Sequence, residues 1–207
     1  MKTILYIHGM GGGGDSRIPN YLKTVLDPKE FRVIIRTYDF DPPVGRAQIE
    51  EWVKTEKPDL IIGESLGSIQ ALRIKGIPHL FVSPSLGAPQ KFAKVAPLAR
   101  FALGRWYLHH RYPVKEGDRQ PLKFTYPVLS RYREHWEAAL ASIGPDESYY
   151  AFFGTQDHFM RSGIVQVGLW ERYFGTDTYT MYPGTHFMEE EFIDSLLVPK
   201  ILETLQK

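Results

Sequence analysis

Two kinds of hydrophobic pattern alternate along this chain. Short, continuous apolar runs bounded by turn residues occur at Thr3–His8, Arg32–Tyr38, Asp59–Glu64, His79–Ser83, Tyr149–Gly154 and Tyr179–Tyr182. Runs of this length with no polar face read as strands buried on both sides, the signature of a parallel sheet. Between them lie segments with helical spacing at Ser16–Leu26, Gln48–Lys57, Leu66–Lys75, Arg161–Tyr173 and Glu189–Leu205. The last opens on acidic residues, which suit a helix N-terminus, and Pro199 should kink it. Alternation of this kind predicts an α/β fold of about six mostly parallel strands, with right-handed crossovers and helices on both faces.

One region breaks the alternation. From Leu86 to Pro145 no convincing strand occurs, and the segments "FALGRWYLHHRYPV" and "YPVLSRYREHWEAALASI" are aromatic and compatible with helix. About 60 residues is too long for a plain loop in a compact domain. The stretch is expected to be a helical, cap-like insertion over one end of the sheet, within a single domain spanning 1–207.

Composition narrows the class. The 207 residues are 43% hydrophobic and 24% charged, with a net charge of +1, so no basic field exists to grip nucleic acid. Cysteine is absent, and the seven histidines lie singly or in the pair His109-His110, so neither a disulfide framework nor a metal site is expected. The apolar stretch at Thr3–Ile7 is too short for a signal peptide, and no run approaches the roughly 20 apolar residues that cross a bilayer. A cytoplasmic location with no membrane or nucleic-acid partner is expected, and the oligomeric state stays open.

The chemistry centres on "PDLIIGESLGSIQALRI". Gly63-Glu64-Ser65-Leu66-Gly67 fits G-x-S-x-G where an apolar strand ends and a helix begins. A serine at the tip of so sharp a turn is held in a strained backbone conformation, and the residues two before and two after it must be very small. The turn would lift the Ser65 hydroxyl clear of the sheet and leave the Leu66 N–H free at the helix start.

A serine needs a base, and the base needs an orienting acid. The nucleophile-elbow arrangement predicts the chain order Ser, Asp or Glu, His, with the last two on loops after late strands. "YYAFFGTQDHF" ends a strand at Gly154 with Asp157 just beyond, and "YTMYPGTHFMEEEF" carries His186 before the final helix. Rivals exist: His158 for the base, and Asp146 and Asp177 for the acid. Their positions fit the pattern less well. Trp106, Tyr107, Tyr112, Tyr132 and Trp136 either cover a pocket or pack the insertion onto the sheet, and the run Glu189–Glu191 reads as a helix-start charge cluster.

With "LYIHGMGGGGDS", "GESLGS", "FGTQD" and "GTHF", the chain resembles the α/β-hydrolase superfamily and, more narrowly, the small bacterial YqiA-like esterases. The resemblance covers nearly all of the chain except Leu86–Pro145. It implies Ser65 as nucleophile, His186 as general base and Asp157 as the acid that orients it. It implies a shortened fold whose first strand corresponds to the third of the full one. It also implies an oxyanion hole made by the N–H groups of Met10 and Leu66, with His8 and Gly9 shaping the oxyanion loop. No cofactor or metal is implied.

A competing reading treats Gly9, Gly11 and Gly14 as G-x-G-x-x-G of a dinucleotide site, with Asp39 as the ribose-binding acid. That leaves Ser65, Asp157 and His186 without a role; Asp39 then caps a turn with Asp41 and Pro42 or lines the pocket. The expected function is a serine hydrolase cleaving a carboxylic ester of a small acyl substrate. The alternatives are a thioesterase, amidase or acyltransferase using the same residues, or a non-catalytic binding protein of the same fold.

Overall fold

A computed structural model describes residues 1–113, 116–144 and 147–206. Pro145 at the end of the insertion, and Asp146, lie outside these residues. Six strands, β1 (Lys2–Ile7), β2 (Phe31–Ile35), β3 (Leu60–Glu64), β4 (His79–Val82), β5 (Tyr149–Gly154) and β6 (Tyr179–Tyr182), form one sheet in the order β2-β1-β3-β4-β5-β6. Every pairing is parallel, with Ile4 opposite Val33 and Leu60, and Phe81 opposite Gly63 and Ala151.

Alternate residues of each strand feed two separate cores. Leu5, Ile7, Ile61, Phe81 and Phe153 point to one face, and Ile4, Tyr6, Ile62, Leu80 and Phe152 to the other. This explains the unbroken apolar runs of the central strands β1, β3, β4 and β5, where neither face is left to water, whereas the edge strands β2 and β6 are partly exposed. The second face is covered by α1 (Arg17–Val25), through Ile18 and Leu22, and by the C-terminal helical stretch, through Ile193, Leu197 and Ile201. The first face carries α2 (Pro42–Glu56) and α3 (Gly67–Ala71).

Between β4 and β5 the described residues are helical in part. They include α4 (Ala88–Val95), a 3-10 turn at Ala96–Arg100, α5 (Ala102–Arg111) and α6 (Tyr126–Ala141). Helix α6 packs against α2, α3 and α4, and its Leu129 and Tyr132 belong to the first core. Beyond β5 come α7 (His158–Arg161) and α8 (Val167–Phe174), and the chain ends with α9 (Glu190–Phe192), a π-helical stretch at Ile193–Leu197 and α10 (Val198–Gln206).

Several helix limits differ from the sequence expectation. Helix α2 starts at Pro42 rather than Gln48, because prolines in a first turn forfeit no helical hydrogen bond. Helix α3 stops at Ala71 rather than Lys75. The N–H groups of Arg73 and Ile74 bond three residues back, and the Ala71 carbonyl also meets Nε2 of His79 at 3.0 Å. The helix expected over Arg161–Tyr173 is two helices separated at Gly163, whose φ of +69° ends a right-handed turn. Pro199, where a kink is expected, is the second residue of α10, directly after a π-helical stretch at Ile193–Leu197.

Candidate active site

Order β2-β1-β3 means that the chain reverses direction across the sheet between β1 and β3, and a ligand crevice opens at the carboxyl ends of such strands. The glycine-rich loop leaves β1 there and Ser65 leaves β3. Ser65 has φ of +49°, the left-handed region that non-glycine residues avoid. Its N–H donates to the Val82 carbonyl at 2.9 Å, and its carbonyl accepts from Ser85 N–H at 3.1 Å, so β4 and its following turn hold the strained residue in place.

The elbow glycines are needed for space, but not because they crowd each other. An ideal Cβ on Gly63 would sit 2.9 Å from the Ala71 Cβ, across the turn to α3. One on Gly67 would sit 2.3 Å from the His8 carbonyl oxygen, on the loop after β1. Each glycine lets a different neighbour approach.

Ser65, His186 and Asp157 form one hydrogen-bonded series. The Ser65 Oγ lies 2.9 Å from Nε2 of His186, 121 positions along the chain. Nδ1 of His186 lies 2.7 Å from Oδ2 of Asp157. Since Asp157 accepts at Nδ1, the proton sits there and leaves Nε2 free to accept from the serine hydroxyl. The other carboxylate oxygen of Asp157 accepts the Phe159 N–H at 2.8 Å, capping α7 and fixing the carboxylate's orientation. Asp157 and His186 are both buried, and the Phe159 ring stands edge-on to the imidazole at 4.6 Å. The rivals lie elsewhere: His158 is exposed with its ring 6.4 Å from that of His186, and Asp177 is exposed at the amino end of β6.

The glycine-rich loop spends most of its N–H groups internally. Gly12 donates to the Gly9 carbonyl at 3.0 Å, Gly11 to Oε1 of Gln120 at 3.2 Å, Gly13 to Oγ of Ser16 at 3.1 Å and Gly14 to Oγ1 of Thr37 at 3.1 Å. Asp118 stands against Gly13 and Gly14, bringing negative charge where a pyrophosphate would need none. A pyrophosphate would find the Gly11, Gly12, Gly13 and Gly14 donors already taken and a carboxylate beside them. The Met10 and Leu66 N–H groups, in contrast, meet no acceptor among the described residues.

His8 and Gly9 fix this loop. Nδ1–H of His8 donates to the Gly9 carbonyl at 2.7 Å, its ring stacks on Tyr38 at 4.3 Å, and its own carbonyl accepts from the Tyr38 hydroxyl at 2.8 Å. Burial pushes its pKa down to about 4, so the ring is neutral at ordinary pH. An ideal Cβ on Gly9 would fall 2.9 Å from the Ser65 Cβ, which measures how closely the loop approaches the serine. Glu64 accepts the Tyr6 hydroxyl at 2.9 Å, and burial raises its pKa.

Four contributors carry little or no local sequence signal of their role. Ser85 Oγ lies 3.0 Å from Ser65 Oγ; a small polar residue just past the carboxyl end of β4 was the available hint. Gln120, from the insertion, holds the glycine loop through hydrogen bonds with Gly11 and Gly12, and its amide also donates to the Tyr38 carbonyl. Glu189 accepts the Thr185 N–H, and Arg17 donates to the Phe187 and Met188 carbonyls, so the cluster read as helix-start charge also ties down the His186 loop. Asp39 does cap the turn, accepting the Asp41 N–H at 2.8 Å, and it pairs with Lys123. Of the aromatic residues, Tyr132 is buried and donates to the Phe40 carbonyl at 2.7 Å, whereas Trp106 and Tyr107 face solvent.

No protein-family model matches the chain, and no curated protein matches it either. Solved structures do. Est1E from Butyrivibrio proteoclasticus, determined with ferulic acid bound, superposes with a TM-score of 0.65 at 15% identity, covering 100% of this chain and 90% of its own. A pyrethroid hydrolase from Sphingobium faniae JZ-2 follows at 0.60 and 12%, covering 99% and 97%. The fold is the α/β-hydrolase fold. A carboxylesterase structure from the thaumarchaeon Nitrososphaera gargenis has a TM-score of 0.57 at 14% identity, covering 99% of this chain and 91% of that one. At these identities the likeness extends to the fold alone.

Proposed function

We propose that this chain is a serine hydrolase that cleaves carboxylic esters of small acyl substrates, in the manner of the YqiA-like esterases it resembles. The observation that carries the reading is the series Ser65–His186–Asp157, joined at 2.9 and 2.7 Å on the loops after β3, β5 and β6. The esterase and pyrethroid-hydrolase activities named for structures of the same fold support ester chemistry over other uses of that series.

In this mechanism Ser65 Oγ attacks the ester carbonyl carbon while its proton passes to Nε2 of His186. Asp157 stabilises the imidazolium and keeps its Nδ1–H in place. The negative oxygen that forms is received by the Met10 and Leu66 N–H groups, each worth about 2.7–4 kcal/mol to the transition state. The tetrahedral intermediate collapses, the C–O bond breaks, and His186 returns its proton to the leaving alcohol. Water then enters, gives a proton to His186, and attacks the acyl-enzyme to release the acid and restore Ser65. Gln120 positions the loop that carries Met10 through its hydrogen bonds with Gly11 and Gly12.

A fluorophosphonate probe followed by mass spectrometry tests this directly. Covalent labelling at Ser65 that is lost in Ser65→Ala is the expected result, together with turnover of short p-nitrophenyl esters. Folded protein that takes up no probe and turns over no ester would mean a binding protein of hydrolase fold.

A further inference from the structure

Helix α5 is amphipathic in the wrong sense for a helix packed on a protein core. Leu103, Trp106, Tyr107 and His110 recur at i, i+3, i+4 and i+7, the spacing of a buried stripe. Here that stripe faces outward: Leu103 is 75% exposed, Trp106 62% and Tyr107 55%. The 3-10 turn before it extends the apolar surface with Phe101, 69% exposed, and Leu98. These residues line a shallow hollow of about 550 Å³ with almost no polar wall. Contiguous exposed apolar surface of this kind marks a binding face.

Charge identifies what the face meets. No Asp or Glu occurs between Glu64 and Glu116, whereas α4, the 3-10 turn and α5 carry Lys91, Lys94, Arg100, Arg105 and Arg111. None of these five cations pairs with a carboxylate among the described residues, although basic residues elsewhere commonly do. Arg100 and Arg111 lie over the rings of Tyr126 and Tyr112, and Arg105 reaches only backbone carbonyls. A second copy of the chain docking through the same face would bring these cations against their own equivalents with no acid to offset them. Leucine, phenylalanine, tryptophan and tyrosine flanked by unpaired arginine and lysine instead fit the boundary between headgroups and acyl chains of an anionic lipid surface.

We propose that Leu98–Tyr107, with the basic residues of the 3-10 turn and α5 and Lys94 of α4, docks the protein peripherally on anionic lipid. No helix among the described residues is long and apolar enough to cross a membrane, so the mode is adsorption, with Phe101, Leu103 and Trp106 inserted and the basic side chains on the headgroups. The inference stands on this surface alone and does not depend on ester hydrolysis.

Co-sedimentation of the full chain with vesicles tests it, comparing equimolar phosphatidylcholine and phosphatidylglycerol with pure phosphatidylcholine. Binding to the mixed vesicles is expected. It should fall in NaCl raised from 0.1 to 1 M, where the screening length shrinks from about 10 to 3 Å. Lys94→Ala should lower the partition about fivefold, and Phe101→Ser with Trp106→Ser more than tenfold, roughly what losing a headgroup-level cation and two inserted side chains implies. Both variants alter exposed positions, and circular dichroism checks that they fold. Wild-type protein that stays in the supernatant with mixed vesicles overturns the proposal, as does binding that survives the double substitution. A concentration-dependent dimer that the double substitution abolishes, without vesicle binding, would assign the face to a second copy instead.

Discussion

Glu189 receives the backbone N–H of Thr185 on both carboxylate oxygens, at 3.1 and 3.2 Å, immediately before His186. Arg17, from the opposite end of the chain, holds the carbonyls of Phe187 and Met188 just after it. The imidazole of His186 is therefore carried by a loop clamped on both sides by charged side chains. If His186 is the base, as proposed, Glu189→Ala is expected to slow p-nitrophenyl acetate turnover chiefly in kcat, with KM little changed, because it loosens the His186 loop without touching the substrate. It should also cost on order of 1.5–3 kcal/mol in urea unfolding, the value of a hydrogen bond to a charged group. Unchanged kcat in a destabilised variant would reduce the clamp to a structural role.

Ser85 and Ser65 differ in what their hydroxyls do, although their oxygens lie 3.0 Å apart. In the proposed mechanism Ser65→Ala removes the attacking atom and should lower kcat by about a thousandfold or more. Ser85→Ala removes one neutral hydrogen bond of about 0.5–1.5 kcal/mol, so activity should stay within roughly tenfold of wild type and probe labelling should persist. Adding His186→Ala to Ser65→Ala should cost nothing further, since in the proposed mechanism the two act as one unit. A steady additive loss would contradict the series.

Two glycines at the contact between the loop after β1 and the elbow, Gly9 and Gly67, should separate stability from activity. A Cβ on Gly67 would lie 2.3 and 2.5 Å from the carbonyl oxygens of His8 and Ile7, both backbone atoms at the carboxyl end of a central strand. Gly67→Ala is expected to lose about 1–3 kcal/mol or more and to lower Tm visibly. A Cβ on Gly9 would press on the Ser65 Cβ at 2.9 Å. Gly9→Ala should lose activity out of proportion to its change in Tm. Equal stability losses in the two variants would refute this division.

Acid should destabilise the fold through buried histidines. Burial pushes the pKa of His8 and of His79 down from 6.5 to about 4, so in the folded chain both stay neutral where the unfolded chain binds protons. Their stabilising effect is complete above pH 6.5 and is lost as pH falls toward 4, at about 1.4 kcal/mol per pH unit for each ring. Urea titrations at pH 7, 6 and 5 report the slope. His79→Gln, which leaves the site untouched, should flatten it by one proton; an unaltered slope would rule the mechanism out.

Local pattern alone was sufficient for the sheet and for its most unusual turn. All six strands follow from apolar runs that need no polar face, and Ser65, Asp157 and His186 follow from their places at strand ends, because a parallel sheet puts every such end on one edge. Helix limits were less legible: α3 ends where His79 competes for the Ala71 carbonyl, a contact that helical periodicity cannot register. Only the tertiary structure decided that Gln120 holds the glycine loop, that Ser85 meets Ser65, that Glu189 clamps the His186 loop, and that the apolar stripe of α5 faces water. Periodicity records whether a residue is apolar and how often such residues recur. It says nothing about which distant backbone group a side chain reaches, or whether a stripe finds a partner, since those depend on the path of the chain between them.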